Sequence, residues 1–385
     1  MPNRLPTPFS RRRLLLAGIA ASLAACRSGV AEGPGAPAEQ RLRLLAEARW
    51  AHRLDFAGTP VGGLSGIDYD RSSGEYLLLS DDRSDLAPAR FYSARWPAVE
   101  GAAPQATGVA LLRQADGAPW PARGAASPGT PVVDPEAIRW RPDTGTVLWT
   151  SEGDVARGFG PALHESRRDG TLVRQIGLPP MFEVDRRGRR GPRDNLGLEG
   201  LALTPDGRDA WVAMENALLQ DGPVPTLGAP GGPCRFTRIE LAGGQARRQI
   251  AYVPDAIPLR PLVPGSYADN GVSEVLMIDA HRMLVLERAY AAGTGNSLRL
   301  YEIDTREGSD TLALDALAPD NHRPVPKKRV ADFALLGLSR LDNSEGLCWG
   351  PDLPNGRRLL VVLSDDNFNP LQVTQFAAFE FTDKS

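Results

Sequence analysis

Five times along the chain, an acidic or hydroxyl residue opens a short apolar segment, and a carboxylate closes the segment that follows. The copies run Leu64-Ser65-Gly66-Ile67 to Ser80-Asp81-Asp82, Pro135-Glu136-Ala137-Ile138 to Ser151-Glu152, Leu198-Glu199-Gly200-Leu201 to Met214-Glu215, Ser273-Glu274-Val275-Leu276 to Leu286-Glu287, and Ser344-Glu345-Gly346-Leu347 to Ser364-Asp365-Asp366. Carboxylates gathered in this way can hold a hard cation or exchange protons with a substrate. Nitrogen and sulfur donors are scarce: the histidines are His52, His164, His281 and His322, and neither a His-x-x-x-His nor a Cys-x-x-Cys spacing occurs. That donor set argues against a zinc site of the usual kind and favours Ca²⁺.

Each pair of segments reads as a β-hairpin. Glu199 and Glu215 flank the turn at Pro205-Asp206-Gly207, and Glu136 and Glu152 flank Pro142-Asp143-Thr144-Gly145, so each pair lies at the open end of its hairpin, where opposed Cβ atoms are about 5 Å apart. Self-similarity at a repeated spacing is the signature of a propeller or solenoid. The pattern predicts a single all-β propeller of five four-stranded blades, with six as the alternative if the connector at 101–133 or 254–271 hides a degenerate blade. The last copy is one strand short. The segment Arg49–Phe56 is available to supply it, so that the two ends of the chain pair and close the ring.

In such a ring the openers Ser65, Glu136, Glu199, Glu274 and Glu345 share one rim, beside the closers Asp81, Glu152, Glu215, Glu287 and Asp365. Like charges this close raise one another's pKa unless a cation compensates. The expected metal ligands are Glu136, Glu199, Glu274, Glu345, Asp81, Glu152, Glu215, Glu287 and Asp365, with Glu199 and Glu345 the foremost and catalytic. For an anionic substrate group the candidates are Arg193, Arg288, Arg83, Asn195 and Asn343. Trp140, Trp149, Trp211 and Trp349 fall inside strands and are expected in the blade cores.

The N-terminus reads as an address. Ser10-Arg11-Arg12-Arg13 precedes an apolar run to Ala25, too short for a confident membrane span, and Leu23-Ala24-Ala25-Cys26 resembles a bacterial lipobox. Residues 1–25 are expected to be a signal peptide of twin-arginine type, and 26–41 a lipidated Cys26 with a flexible tether. The folded domain then runs from 42 to 385. The residue after Cys26 is Arg27 and not the Asp that favours inner-membrane retention in some bacteria, so an outer-membrane lipoprotein of the cell envelope is preferred. The net charge is −3, and the leader carries Arg4, Arg11, Arg12 and Arg13 with no acid. The remainder is therefore more acidic still, which argues against a nucleic-acid partner. Cys234 and Cys348 could pair in an oxidising compartment or remain separate buried thiols. A closed ring has no free edge, so a monomer is expected.

Glu136-Ala137-Ile138 with Ser151-Glu152, Asn195-Leu196-Gly197-Leu198-Glu199-Gly200-Leu201, Glu287-Arg288 with Asn296-Ser297-Leu298, and Asp342-Asn343-Ser344-Glu345-Gly346 together resemble the bacterial phytase-like family, "esterase-like activity of phytase". The resemblance covers nearly all of the chain after Cys26 and implies a secreted or lipid-anchored β-propeller. Val133-Asp134-Pro135-Glu136-Ala137-Ile138 is also similar to the Asp-Pro-Ala-Ile strand of β-propeller phytases, with Glu136 as an addition. Those six-bladed enzymes use several Ca²⁺ ions to hold phosphate and activate water. The chain has no Gly-x-Ser-x-Gly elbow, so a serine esterase is disfavoured. Three readings follow: a Ca²⁺-dependent phosphomonoesterase or related ester hydrolase, a Ca²⁺-dependent lactone hydrolase, and a non-catalytic envelope binding module.

Overall fold

A computed structural model describes residues 40–383; the expected signal peptide, lipobox and Cys26 lie outside them. Among the described residues the chain forms five four-stranded antiparallel sheets and one short hairpin. After β1 (Leu42–Arg49) come the hairpin strands β2 (Leu54–Phe56) and β3 (Thr59–Val61). Blade 1 is β4 (Leu64–Asp70), β5 (Glu75–Ser80), β6 (Arg90–Arg95) and β7 (Gln105–Leu111), and blade 2 is β8 (Pro135–Arg141), β9 (Thr146–Ser151), β10 (Ala162–Arg167) and β11 (Leu172–Ile176). Blade 3 is β12 (Leu198–Leu203), β13 (Asp209–Met214), β14 (Cys234–Glu240) and β15 (Gln245–Tyr252). Blade 4 is β16 (Ala268–Met277), β17 (Arg282–Ala291), β18 (Gly295–Asp304) and β19 (Lys327–Asp332). In blade 5, β20 (Asn343–Trp349), β21 (Arg358–Asp365) and β22 (Gln375–Phe381) are completed by β1.

The inner strands β4, β8, β12, β16 and β20 pack in succession and return to β4, closing the ring. The fold is a five-bladed β-propeller, and neither long connector contains a sixth sheet. The closing strand differs from the sequence expectation. It is Leu42–Arg49, paired from Leu42↔Phe381 to Arg49↔Gln375, and not Arg49–Phe56. Leu42 packs with Phe379 and Phe381, and Ala46 with Phe376. Beyond Trp50, which stacks edge-on against Phe376 at 5.0 Å, the chain turns at Arg53 with φ 53° and cannot continue the ladder.

The apolar core lies between adjacent blades, as stacked sheets with two apolar faces require. Trp149 and Trp211 are fully buried there, while Trp140 and Trp349 pack at its margin. Close approach of the inner strands requires glycine after the bulge in blades 1 and 5: a Cβ on Gly66 would stand 2.7 Å from the Glu136 carbonyl, and one on Gly346 2.8 Å from Ile67. Cys234 and Cys348 are separate buried thiols.

Candidate metal centre

Every inner hairpin carries a β-bulge at the same point, and the bulge decides which side chain faces the mouth. In blade 3 the register steps from Leu198↔Met214 to Gly200↔Ala213, leaving Glu199 as the extra residue. Ser65, Glu136 and Glu345 occupy the same step in blades 1, 2 and 5. In blade 4 the step runs from Val272↔Glu287 to Glu274↔Leu286, so the bulge residue is Ser273. The closing position lies one residue beyond the partner of the residue that precedes the bulge: Asp81, Glu152, Glu215 and Asp365 in four blades, and Arg288 in blade 4.

Glu274 and Glu287 were expected at the rim and are not there. A one-residue offset sends a strand side chain to the opposite face. Glu274 lies deeper in the ring, accepting from the Leu201 and Val275 amides at 2.8 Å each and pairing with Arg139 at 2.8 Å. Arg139 also donates to the carbonyls of Ile67 and Val275, so this ion pair ties β4, β8 and β16 together beneath the mouth. Glu287 faces the seam of blades 3 and 4, where it accepts from Tyr252, the Asp255 amide, Asn270 and Lys327.

The remaining acids converge. One oxygen from each of Asp134, Glu136 and Glu152 lies within 4.8 Å of the others, and the same holds for Glu152, Glu199 and Glu215; all five residues are buried. Glu152 joins the two groups and also accepts from the Gly197 amide at 2.5 Å. Burial, then the neighbouring carboxylates, push Glu136 and Glu199 well above the usual range and Glu152 up to about 8. Asp81, Glu345 and Asp365 extend the arc through blades 1 and 5, with Asp365 raised well above its usual range and Glu345 up to about 7, chiefly by burial.

Asp134 was not among the sequence candidates. It occupies the position two before the bulge, where the other blades have Gly63, Gly197, Gly271 and Asn343. Glycine there makes room for a carboxylate: a Cβ on Gly271 would stand 2.6 Å from the Glu215 side chain. Asn343 donates to Glu345 at 2.9 Å and to Asp365 at 3.3 Å. Of the arginines, Arg288 reaches Glu345 at 3.2 Å, Asp269 at 3.6 Å and Glu215 at 3.8 Å, and Arg83 pairs with Asp134 and donates to Asn195. Arg193 lies apart, donating to the carbonyls of Ala217 and Gly222. Arg186, Arg187, Arg189 and Arg190 are exposed, and Arg190 donates to the Asp315 carbonyl at 3.2 Å.

The donor set is oxygen throughout, buried and acid-rich, which fits a hard divalent cation: Ca²⁺ at about 2.3–2.6 Å from each ligand spans oxygens about 5 Å apart. Without such compensation the same groups retain protons.

A family profile described as "Phytase-like: Esterase-like activity of phytase" matches residues 59–368. No curated protein matches the chain. Among solved structures, the periplasmic gluconolactonase of Pseudomonas aeruginosa is 13% identical, with 84% of this chain and 87% of that one covered at a TM-score of 0.36. The exo-beta-1,3-galactanase of Phanerochaete chrysosporium is 10% identical, with 89% and 65% covered at 0.42. Hydrazine synthase of Kuenenia stuttgartiensis is 12% identical, with 86% and 67% covered at 0.36.

Proposed function

The chain belongs to the phytase-like family, and from that premise we propose that it is a divalent-cation-dependent hydrolase of phosphate or other esters, with Ca²⁺ held by Asp134, Glu136, Glu152, Glu199 and Glu215. The observation that carries this reading is the pair of buried carboxylate groups sharing Glu152. A bound cation would supply Lewis-acid polarisation of the ester and lower the pKa of water. Glu345 is the base of this proposal. Burial brings it to about 7, close to the working range of a general base, while Asn343 and Arg288 fix its Oε1. Arg288 also offsets part of the negative field at Glu199 and Glu345.

A second reading, hydrolysis of uncharged carboxylic esters or lactones, is favoured by one observation. Arg193 is committed to backbone carbonyls, and Arg83 and Arg288 already face carboxylates, so an anionic substrate group would depend on the cation alone. We infer further that the protein is exported, anchored through lipidated Cys26 at the cell envelope with the outer membrane preferred, and monomeric, as the basic leader, lipobox and closed ring suggest. The mass of the N-terminal peptide tests the lipid.

The test of the main reading is thermal unfolding of the full-length chain with Ca²⁺ and with a chelator, followed by assays on p-nitrophenyl phosphate, phenyl acetate and a γ-lactone. A hundredfold excess over the dissociation constant adds about 2.7 kcal/mol, visible as a raised midpoint. No shift and no chelator-sensitive turnover would leave a non-catalytic binding module with structural carboxylates.

A further inference from the structure

On the same face as the acidic mouth, three loops of blade 2 line an open-sided cavity of about 500 Å³, within the size range of small-molecule sites. Its walls come from the segment entering β8, the β9–β10 connection and the segment leaving β11, and include Trp120, Val132, Phe159, His164 and Phe182. The cavity shares a partition with the carboxylates. Val133 precedes Asp134, and Ser151 and Gly153 bracket Glu152; the Ser151 Oγ accepts from both the Asp134 and Gly153 amides, at 3.0 and 3.1 Å.

The walls are braced. Asp154 and Phe159 exchange backbone hydrogen bonds at 2.9 Å, Arg123 pairs with Asp154 at 2.8 Å, and Arg157 donates to the carbonyls of Ala126 and Ser127. Gly153, at φ 76°, folds the loop so tightly that a Cβ would stand 2.2 Å from the Gly160 carbonyl. The His164 ring stacks on Trp149 at 4.2 Å and meets Trp120 edge-on at 5.6 Å.

Within this braced shell two ring nitrogens have no hydrogen-bond partner: Nδ1 of His164 and Nε1 of Trp120, on residues only 3% and 8% exposed. Buried polar groups are normally satisfied, and an indole nitrogen can only donate. The Trp120 indole therefore lacks an acceptor, and both residues line the cavity. Burial holds His164 neutral, with its pKa lowered to about 3, and the adjacent carboxylates repel an anion. Aromatic walls favour an aromatic occupant in edge or offset contact.

We propose that this cavity binds an uncharged aromatic group bearing a hydrogen-bond acceptor, and that it seats that end of an ester whose reacting centre lies at the acidic mouth. The second half rests on the hydrolase reading above. Trp120 and His164 are then positioning residues, setting which substrates are presented to the acids.

Isothermal titration of the full-length chain with benzamide, benzoate and cyclohexanecarboxamide tests the site. Benzamide should bind with 1:1 stoichiometry, at least tenfold tighter than the other two and unchanged by a chelator. Ala162→Trp, which fills the cavity from its half-buried edge, should abolish binding, and Trp120→Phe should weaken it several-fold. Val184→Trp, on another wall, replaces Ala162→Trp if that variant unfolds. No benzamide binding, or binding that survives both filling variants, overturns the proposal. The two readings fail separately: benzamide binding without turnover of any ester removes the hydrolase and keeps the cavity. Turnover with phenyl and methyl esters of equal kcat/KM, both unaffected by the filling variants, removes the cavity and keeps the hydrolase.

Discussion

Blades 3 and 4 bring the same two backbone positions to the channel mouth and fill them with opposite chemistry. Blade 3 presents Glu199 and Glu215; blade 4 presents Ser273 and Arg288. The acids of blade 4 sit one residue away, where Arg139 neutralises Glu274 and Lys327 neutralises Glu287. A ring of five identical acidic blades would concentrate more charge than one cation could offset. One blade with a serine and an arginine breaks that symmetry and leaves the acids densest on the side of blades 2 and 3.

The largest expected effect tests whether the mouth acids behave as a repelling group. Burial, with the neighbouring carboxylates, pushes Glu152 up to about 8 from an ordinary 4.5, and burial pushes Glu345 up to about 7. Raised carboxylate pKa values mean that the folded state binds more protons than the unfolded state between those limits. Stability of the chelated protein should therefore fall as pH rises from about 4.5 to about 8, at up to about 1.4 kcal/mol per pKa unit for each independent group. Urea midpoints across that range should decline with chelator and flatten with Ca²⁺. A chelated protein whose midpoint holds steady would mean that the acids are individually satisfied.

Next in size is the buried pair that blade 4 makes in place of a rim acid. Arg139→Met strands Glu274 in the ring interior and should cost about 3–5 kcal/mol in chemical denaturation. Adding Glu274→Leu should recover most of that loss, and Ca²⁺ affinity should stay unchanged throughout. A parallel loss of Ca²⁺ binding would return Glu274 to the metal site.

In blade 2 the expectation reverses. Glu152→Gln removes the carboxylate common to both groups, so Ca²⁺ affinity measured by calorimetry should fall about 100-fold, roughly 2.7 kcal/mol. The chelated protein should be no less stable at pH 8 than its parent. Arg288→Gln should do the opposite: it should cost the chelated protein about 1–2 kcal/mol by unmasking the acids around it, and should tighten Ca²⁺ binding several-fold.

Much of this was legible in the sequence, because blade strands repeat apolar runs between turn residues and the repeat fixed the openers of blades 1, 2, 3 and 5. Blade 4 was misaligned by one residue because Glu274 matched the acidic openers by type. The better guide was backbone room. Gly271-Val272-Ser273 parallels Gly197-Leu198-Glu199 and Gly63-Leu64-Ser65, and blade 1 already has serine as opener. Asp134 escaped for the related reason that its equivalents are glycines or Asn343. The cavity over blade 2 was not legible, since three loops distant in sequence build it and no periodic pattern marks them.

The smallest effect separates the two serines that stand where the other blades place glutamate. Ser65 Oγ donates to the Glu136 carbonyl at 2.8 Å, holding blade 1 against the strand that carries a ligand candidate. Ser273 Oγ reaches the Ser344 carbonyl at 3.3 Å, beside Glu345. Both are buried, but the shorter contact is the stronger hydrogen bond. Ser65→Ala should cost about 1 kcal/mol and Ser273→Ala about 0.5 kcal/mol, because each leaves one carbonyl with one fewer donor. Only Ser65→Ala should also weaken Ca²⁺ binding, by a factor of about two to three, because the Glu136 backbone it steadies positions one of the five proposed ligands. Equal and metal-independent losses would mean that the bulge alone holds the acids in place and that the serines merely fill two of its five copies.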